Sequence, residues 1–162
     1  MPSGPVVEAL LDNIRSTFNV GSIFRASDGA GLRRLHLCGV TPTPENPKVA
    51  KTALGAESSV KWAYHLNAVH AARELKNRGF QVCALEITPG SCSIFEAAAH
   101  LDSSPLLLVV GNEITGVDPE LIDLSDGVFS IPMQGHKESL NVSLAFGIAA
   151  YALRFAPNIN KA

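Results

Sequence analysis

The sequence lacks several features that mark specialised classes of protein. It has three cysteines, Cys38, Cys83 and Cys92, and no CxxC pair, so we expect neither a disulfide framework nor a metal site. Cys38 and Cys83 lie in apolar, strand-like runs, which favours buried free thiols in a reducing compartment. No apolar run reaches the roughly 18 residues of a membrane span, and no basic stretch precedes an apolar one at the N-terminus. We therefore expect a cytoplasmic protein with no membrane partner.

A large excess of charge of one sign is also absent. The net charge is −2, from 13 Lys and Arg against 15 Asp and Glu, so composition alone does not indicate nucleic-acid binding. The distribution is less even, because residues 1–51 carry six basic and four acidic side chains. This bias is either ordinary solvated charge or a set of contacts to nucleic-acid phosphates. The candidate phosphate contacts are Arg15, Arg33, Arg34 and Lys51.

What the chain does contain is an alternation of strand and helix patterns over 162 residues that are 46% hydrophobic. The predicted strands are 6–11, 35–40, 80–87, 105–110 and 128–132. The predicted helices are 19–30, 67–78, 94–100 and 139–155, with a loop containing Pro42, Pro44 and Pro47 after the second strand. This order predicts a single α/β domain with a mostly parallel sheet flanked by helices.

The segment 105–110 is apolar without alternation and stops at Gly111. Such a run is typical of a central parallel strand buried on both faces. Polar residues follow at once, and open α/β sheets bind ligands at the carboxyl ends of their strands. Glu113 at this edge could bind a ligand or act as a base, or it could simply cap a turn.

A second group of residues lies in the first predicted helix. Gly21, near the helix start, allows another backbone to approach closely. Arg25 follows Asn19 by six residues, so the two side chains need not share a face. Arg25 also sits among apolar residues, where a guanidinium is costly to bury without an anion. A salt bridge and a contact to a phosphate or substrate both remain open.

The third group is the segment 131–143, in which a polar, Gly-containing loop enters an apolar helix. Ser139 could be the N-cap of that helix. Asn141 and Ser143 lie inside the apolar stretch and need hydrogen-bond partners.

The last predicted helix, 139–155, is apolar on all sides rather than along one stripe. Such a helix is buried on more than one side. One face can cover the sheet, and the other is expected to meet a second subunit about a two-fold axis. We therefore predict a homodimer formed through the C-terminal helix.

Together the three groups resemble the SpoU (TrmH-like) family of RNA 2′-O-ribose methyltransferases in the SPOUT superfamily. The family motifs are N-x-G-x-x-x-R, an apolar strand ending G-x-E with a following glycine, and I-P-M followed by S-L-N-V-S. They are matched here by residues 19–25, 111–116, 131–133 and 139–143. The resemblance covers about residues 6–155, with no departure at a motif position.

The resemblance implies a methyltransferase domain with a deep C-terminal trefoil knot. Several relatives carry an additional RNA-binding domain, whereas here we expect residues 1–162 to form a single methyltransferase domain without one. It implies S-adenosyl-L-methionine as cofactor and a ribose 2′-hydroxyl of tRNA or rRNA as acceptor, with tRNA slightly preferred. By the same resemblance, the cofactor-binding residues are Leu85, Gly111, Ile131, Met133, Ser139 and Leu140. The catalytic residues it implies are Arg25, Asn19, Glu113, Ser139 and Asn141.

The family assigns the central role to the first-motif arginine, here Arg25. A guanidinium stays protonated at neutral pH and is a poor base, so we expect Arg25 mainly to orient the RNA phosphate and ribose. A role as general base comes second. The other catalytic residues are expected to hold Arg25 and the acceptor in place. Because the family site lies beside the dimer interface, residues of both subunits are expected to contribute.

The residues can be compared with three other functions. A catalytically inactive RNA-binding relative of the same fold is the main alternative, and the intact motif residues argue against it. A nicotinamide-dependent oxidoreductase is remote, because the glycine cluster 29–34 lacks the third small residue of G-x-G-x-x-G and follows a helix. No G-x-S-x-G elbow is present, which argues against an acyl hydrolase.

Overall fold

The computed structural model describes residues 4–159, which form seven strands and seven helices. The strands are β1 (Val7–Asp12), β2 (Arg34–Cys38), β3 (Trp62–His65), β4 (Gln81–Leu85), β5 (Cys92–Ser93), β6 (Leu106–Val110) and β7 (Gly127–Ser130). The helices are α1 (Thr17–Ala30), α2 (Pro47–Ala53), α3 (Ala56–Ser59), α4 (Ala68–Asn77), α5 (Ile94–Ala99), α6 (Pro119–Leu124) and α7 (Val142–Ile159).

The strands form one sheet in the order β3-β2-β1-β6-β4-β7-β5, and every strand pair is parallel. The predicted α/β class with a parallel sheet is confirmed. All carboxyl ends of the strands therefore meet at one edge of the sheet, where the loops that follow β4, β6 and β7 come together.

Strand β6 shows how the two faces of the sheet are filled. Leu106, Leu108 and Val110 pack into one core cluster, while Leu107 and Val109 pack into the other. The prediction of a central strand buried on both faces is confirmed, because alternate side chains of one strand point to opposite faces.

Helices cover both faces. The first cluster contains buried residues of α1, α5 and α7, among them Phe24, Ile94 and Phe146. The second contains buried residues of α4 and α6, among them Leu75 and Leu121. Helix α7 contacts both α1 and α5, so the last helix and the first motif helix lie on the same side of the sheet. No helix within residues 4–159 combines the length and hydropathy needed to cross a bilayer.

Gly21 has the role expected of it. A Cβ at this position would lie 1.9 Å from the Thr52 hydroxyl oxygen and 2.4 Å from the Val49 carbonyl oxygen. Only a residue without a side chain allows α1 and α2 to pack this closely. The glycine of the first motif is therefore explained by helix packing.

The region after β2 differs from the sequence prediction. It holds α2, α3 and the edge strand β3, which were not predicted. Pro47, taken as a loop residue, is the first residue of α2, and Asn46 is the N-cap, whose side chain accepts from the N–H of Lys48. Proline is favoured at this position because the first helical N–H has no partner within the helix. Strand β5 and helix α6 were also not predicted.

The ends of several predicted elements also need correction; the strands predicted over 35–40 and 128–132 end at Cys38 and Ser130. The last helix begins at Val142 rather than at Ser139, so Ser139 is a loop residue and not the N-cap. The strand predicted to reach Ile87 ends at Leu85.

The prediction that Cys38 and Cys83 are buried free thiols is confirmed. Cys38 and Cys83 are buried and unpaired, and Cys92 is exposed. Burial raises the pKa of Cys38 and of Cys83 to about 12, so both behave as inert apolar side chains.

Candidate active site at the carboxyl edge of the sheet

A cavity of about 500 Å³ opens at the carboxyl ends of β4, β6 and β7 and beside the start of α7. This volume is typical of a small-molecule or cofactor site. The cavity is lined by all six residues predicted to bind a cofactor, Leu85, Gly111, Ile131, Met133, Ser139 and Leu140. The structure brings these residues together from three separate loops, and their contact with a cofactor stays a prediction.

Part of the cavity wall is backbone. A Cβ at Gly111 would lie 2.3 Å from the carbonyl carbon of Gly116 and 2.3 Å from the nitrogen of Val117. The turn between them is closed by the Gly116 N–H, which donates to the Asn112 carbonyl oxygen at 2.9 Å. No side chain fits at position 111 without moving this backbone, so the glycine of the second motif shapes the cavity.

The charged side chains among the described lining residues are Glu86 and Glu113. Both are acidic, and the wall otherwise offers backbone groups and uncharged side chains. Such a wall suits a neutral or cationic ligand that is held through backbone hydrogen bonds, and it does not suit a phosphate group. Within the described residues, no cluster of His, Cys, Asp or Glu is arranged to hold a metal ion.

A chain of side-chain hydrogen bonds connects the three motifs at the rim of the cavity. The Asn19 amide donates to Glu113 Oε1 at 3.2 Å, and the Asn141 amide donates to Asn19 Oδ1 at 3.2 Å. Asn19 is buried although it is polar, and a buried polar group is stable only when it is hydrogen-bonded. Buried Asn19 thus depends for its side-chain hydrogen bonds on Glu113 and Asn141, two exposed residues that are far from it in the sequence.

Glu113 is committed to the start of helix α1. Its carboxylate accepts the N–H groups of Arg15 and Ser16, both at 3.1 Å, as well as the Asn19 amide. Partial burial alone would raise the pKa of Glu113, but these hydrogen bonds outweigh it and hold the pKa below its ordinary value. An anion at a helix N-terminus is favourable. Glu113 is therefore an anchor between β6 and α1, and it is poorly suited to act as a general base.

Asn141 accepts hydrogen bonds at the start of α7, as Glu113 does at the start of α1. Its Oδ1 accepts the Ser143 N–H at 2.9 Å and the Ser143 hydroxyl at 2.6 Å. The expectation that these two polar residues need partners is confirmed, because each is a partner of the other. Ser139 is exposed and lies at the mouth of the cavity.

Arg25 stands apart from this arrangement. Its side chain is exposed on α1 and is not part of the cavity lining. The salt bridge left open by the sequence is not formed with any residue that the structure describes. The guanidinium is thus available to an anion from outside the chain.

The chain matches the family model described as "SpoU rRNA Methylase family" over residues 7–151. The chain belongs to this family. Among curated relatives, it is 36% identical over 144 residues to the tRNA (guanosine(18)-2′-O)-methyltransferase of Aquifex aeolicus, covering 86% of this chain and 64% of the relative. It is 33% identical over 150 residues to the enzyme of the same name from Thermus thermophilus, covering 91% and 73%.

Solved structures show the same SpoU fold. The AdoMet-bound rRNA methyltransferase from Sinorhizobium meliloti superposes with a TM-score of 0.84 at 29% identity, covering 94% of this chain and 57% of that one. The TrmH/SpoU tRNA modifying enzyme of A. aeolicus superposes with a TM-score of 0.82 at 31% identity, covering 96% and 76%. This SpoU chain therefore covers less than two thirds of the length of the Aquifex tRNA methyltransferase. It also covers less than two thirds of the Sinorhizobium rRNA methyltransferase.

The basic residues proposed as phosphate contacts do not lie together in this SpoU chain. Arg33 and Arg34 are at the amino end of β2, the edge opposite the cavity. Arg33 Nε donates to Glu8 Oε1 at 2.6 Å, so its charge is already paired. Arg15 precedes α1 at the carboxyl edge, and Lys51 lies in the last turn of α2. A single basic surface formed by all four is therefore not observed.

Two residues of the SpoU site were missed by the sequence analysis. Asn112 supports the turn after β6, because its amide donates to the Asn13 carbonyl oxygen at 2.7 Å and its Oδ1 accepts the N–H of Ile114 at 2.9 Å. Glu86 lines the cavity directly after β4. A polar residue at the end of a parallel strand is a usable signal, but the strand was predicted to continue through Glu86.

Proposed function

We propose that this SpoU chain transfers a methyl group from S-adenosyl-L-methionine to a ribose 2′-hydroxyl of RNA. The observation that carries the proposal is the hydrogen-bond chain from Glu113 through Asn19 to Asn141 at the rim of a cofactor-sized cavity. It joins all three family motifs at one place. The Aquifex and Thermus relatives are both named as tRNA 2′-O-methyltransferases, which supports the same reaction class.

The cavity suits the cofactor. S-adenosylmethionine supplies a methyl group on a positively charged sulfur and has no phosphate to bind. Gly111, Ile131 and Leu140 would hold it through backbone groups, and the acidic lining matches its positive charge. The work left to the protein is to orient the acceptor hydroxyl and help remove its proton.

Arg25 is the residue we assign to the acceptor. Its exposed guanidinium can hold an RNA phosphate through paired hydrogen bonds, which fixes the position of the neighbouring ribose. Asn19, on the same helix, connects that helix to the cavity rim through Glu113 and Asn141. Glu113 and the two asparagines are positioning residues, and Ser139 at the cavity mouth is placed to contact the substrate or the cofactor.

A homodimer is part of the proposal. On α7, Leu144 is 55% exposed and Tyr151 is 46% exposed, while Phe146 and Leu153 are buried. The helix thus keeps apolar side chains on its outer face after covering the sheet. A second copy packed on this face would cover them, and residues of both subunits would then contribute to one site.

For the substrate we prefer tRNA to rRNA. Relatives with both names occur, including a 23S rRNA (guanosine-2′-O-)-methyltransferase from Burkholderia. Another solved structure is described as giving structural insights into the 2-OH methylation of C/U34 on tRNA. It superposes with a TM-score of 0.77 at 27% identity, covering 91% of this chain and 93% of that chain. The printed subject of that structure, methylation of a tRNA nucleotide, supports the tRNA preference.

Three further predictions belong to the proposal. The single sheet with its two core clusters, which lie within residues 4–159, supports the prediction of one methyltransferase domain. The family resemblance supports a trefoil knot around the cavity. The unpaired, buried Cys38 and Cys83 fit the reducing cytoplasm. An inactive RNA-binding relative of this fold is the alternative.

Transfer of labelled methyl from S-adenosylmethionine to fractionated cellular RNA tests the proposal. We expect incorporation into tRNA, with the label at a 2′-O-methylated nucleotide when the product is digested and mapped. Cofactor binding without incorporation into any RNA fraction would favour the inactive relative. Label on a base instead of a ribose would contradict the reaction class.

A further inference from the structure

Glu86 is an acidic residue in the cavity wall that none of the family motifs includes. It follows the last residue of β4, and its two carboxylate oxygens hold two different loops. Oε1 accepts the Ile87 N–H at 2.9 Å, and Oε2 accepts the Val117 N–H at 2.9 Å. The second bond attaches the end of β4 to the turn after β6, which is the same turn that packs against Gly111.

The packing around Oε2 is tight on the side of the turn. A Cβ at Gly116 would lie 2.2 Å from Glu86 Oε2, so a glycine is required for the carboxylate to reach Val117. The carboxylate therefore has a defined position in the wall. A defined position matters because the strength of a charge interaction depends on its distance to the ligand.

Glu86 and Glu113, the acidic residues of the cavity lining, differ in the number of hydrogen bonds they accept. Glu113 accepts three hydrogen bonds at the start of α1. Glu86 accepts two backbone hydrogen bonds, one on each oxygen. A carboxylate has about four acceptor positions, so Glu86 keeps acceptor capacity and negative charge beside the cavity. No Lys, Arg or His lines this cavity itself within the described residues; His136 and Lys137 lie in an adjoining depression, beside the acidic Glu138. Glu86 makes no salt bridge with a described residue.

We infer that Glu86 determines the charge specificity of the cavity, favouring the cationic sulfonium form of the cofactor over its neutral thioether product. The inference rests on the proposed function, because it names the ligand pair of that reaction. S-adenosylmethionine and S-adenosylhomocysteine differ by the transferred methyl group and by the positive charge on sulfur. A carboxylate fixed in the wall stabilises the first more than the second, which assists release of the product after transfer.

A purely structural role makes a different prediction. If Glu86 only held the turn after β6, its loss would weaken both ligands by the same factor. Glu86→Gln removes the charge and, because its amide has one oxygen, also one of the two backbone hydrogen bonds. The lost hydrogen bond acts on both ligands alike, so the ratio of their affinities isolates the effect of the charge. Glu86→Asp is the complementary variant, because it keeps the charge and shortens the side chain. Glu96→Gln is the matched control, since Glu96 is exposed on α5 and outside the cavity lining.

The test is isothermal titration of the 162-residue chain and these variants with S-adenosylmethionine and with S-adenosylhomocysteine. We expect the ratio of the two affinities to shift about tenfold toward the product in Glu86→Gln. It should stay near the wild-type value in Glu86→Asp and Glu96→Gln. An unchanged ratio in Glu86→Gln, with both affinities reduced equally, would overturn the inference and leave the proposed function standing.

A measurement on the wild-type protein covers the case in which Glu86→Gln fails to fold. Salt screens the interaction with the sulfonium, which only S-adenosylmethionine carries. The ammonium and carboxylate of the amino-acid part are common to both ligands, so their screening largely cancels in the ratio. The preference for the cationic ligand should therefore fall as salt is raised from about 0.05 to 0.5 M. A ratio that does not change with salt would contradict the inference. Failure of the wild type to bind either ligand would instead overturn the proposed function, and this inference with it.

Discussion

Two series of hydrogen-bonded polar side chains connect separate elements of this molecule. They differ in whether they border the cavity. The first, from Glu113 through Asn19 to Asn141, lies at the carboxyl edge beside the cavity. The second lies within the sheet on β1, β2 and β3. Glu8 Oε2 is 2.6 Å from His36 Nε2, and His36 Nδ1 is 2.8 Å from His65 Nε2.

We call the second chain closed, because its side chains bond to one another within the sheet and do not border the cavity. Glu8 is 4% exposed and His36 is 3% exposed, and the partners of the chain stand on neighbouring strands. The first chain instead joins segments separated by 94 and 122 residues and ends at an open cavity. A closed polar chain stabilises the sheet, whereas an open one positions groups for a ligand. Variants in the two chains should therefore separate stability from activity.

The largest effect is expected from Glu8→Ala in the closed chain. The substitution leaves a buried His36 without its acceptor and Arg33 without its ion partner. Leaving buried His36 without its hydrogen-bond partner and removing the half-exposed Arg33 ion pair should together cost about 3 kcal/mol. Chemical denaturation should show a loss of this size, while RNA methylation by the remaining folded protein stays near wild type. Glu45→Ala, at an exposed acid with no side-chain bond to a described residue, should have little effect. Equal stability of the two variants would contradict the role given to Glu8.

The opposite separation is expected from Arg25→Ala at the open site. The side chain is exposed, so the unfolding free energy should change little. Methyl transfer to RNA should fall at least about 100-fold, because the acceptor loses its orientation. Titration with S-adenosylmethionine should show nearly unchanged affinity. Arg73→Ala removes a similar exposed charge from α4 and should keep the activity. Full turnover by the Arg25 variant would refute its assignment.

A smaller effect is expected from Gly111→Ala, which adds one methyl group to the cavity wall. The new Cβ would meet the backbone of Gly116 and Val117 at 2.3 Å. Overpacking of this kind costs about 1–3 kcal/mol, so cofactor affinity should fall about tenfold or more by titration. Gly90→Ala is the matched control, because nothing lies within 4 Å of its added Cβ. Equal cofactor binding by the two alanine variants would show that the turn adjusts freely.

The central parts of the fold were predictable because they depend on local pattern. Strand β6 is apolar on both faces, and α4 has helical spacing, so each is visible within a short window. The region after β2 was not predictable in the same way. Its prolines suggested a loop, yet Pro47 begins a helix, and β3 is held by pairing with β2 at the sheet edge rather than by an apolar pattern of its own.

The site was predictable as a set of residues and not as a set of contacts. The motif resemblance identified Asn19, Glu113 and Asn141, but no periodicity relates residues about 100 positions apart. Their hydrogen bonds follow from the parallel sheet, which brings strand ends to one edge. The base role considered for Glu113 illustrates the limit, because its use as an anchor for α1 depends on N–H groups that only the folded chain presents.

The smallest effect concerns pH and the closed chain. Burial, with smaller contributions from the charges of His36 and Arg34, lowers the pKa of His65 despite the opposing charge of Glu74. Two ring nitrogens 2.8 Å apart can share one proton and resist a second. In the unfolded chain this histidine takes up a proton near pH 6.5, whereas in the folded chain it does so only at lower pH. The free energy of unfolding is therefore highest above pH 6.5 and declines below it. Between pH 7.5 and 5.5 we expect a loss under about 1 kcal/mol in urea midpoints. His65→Gln should make stability less dependent on pH. His70→Gln, at an exposed position on α4, is the control and should keep the wild-type dependence. Identical pH profiles for the two variants would contradict the role given to His65.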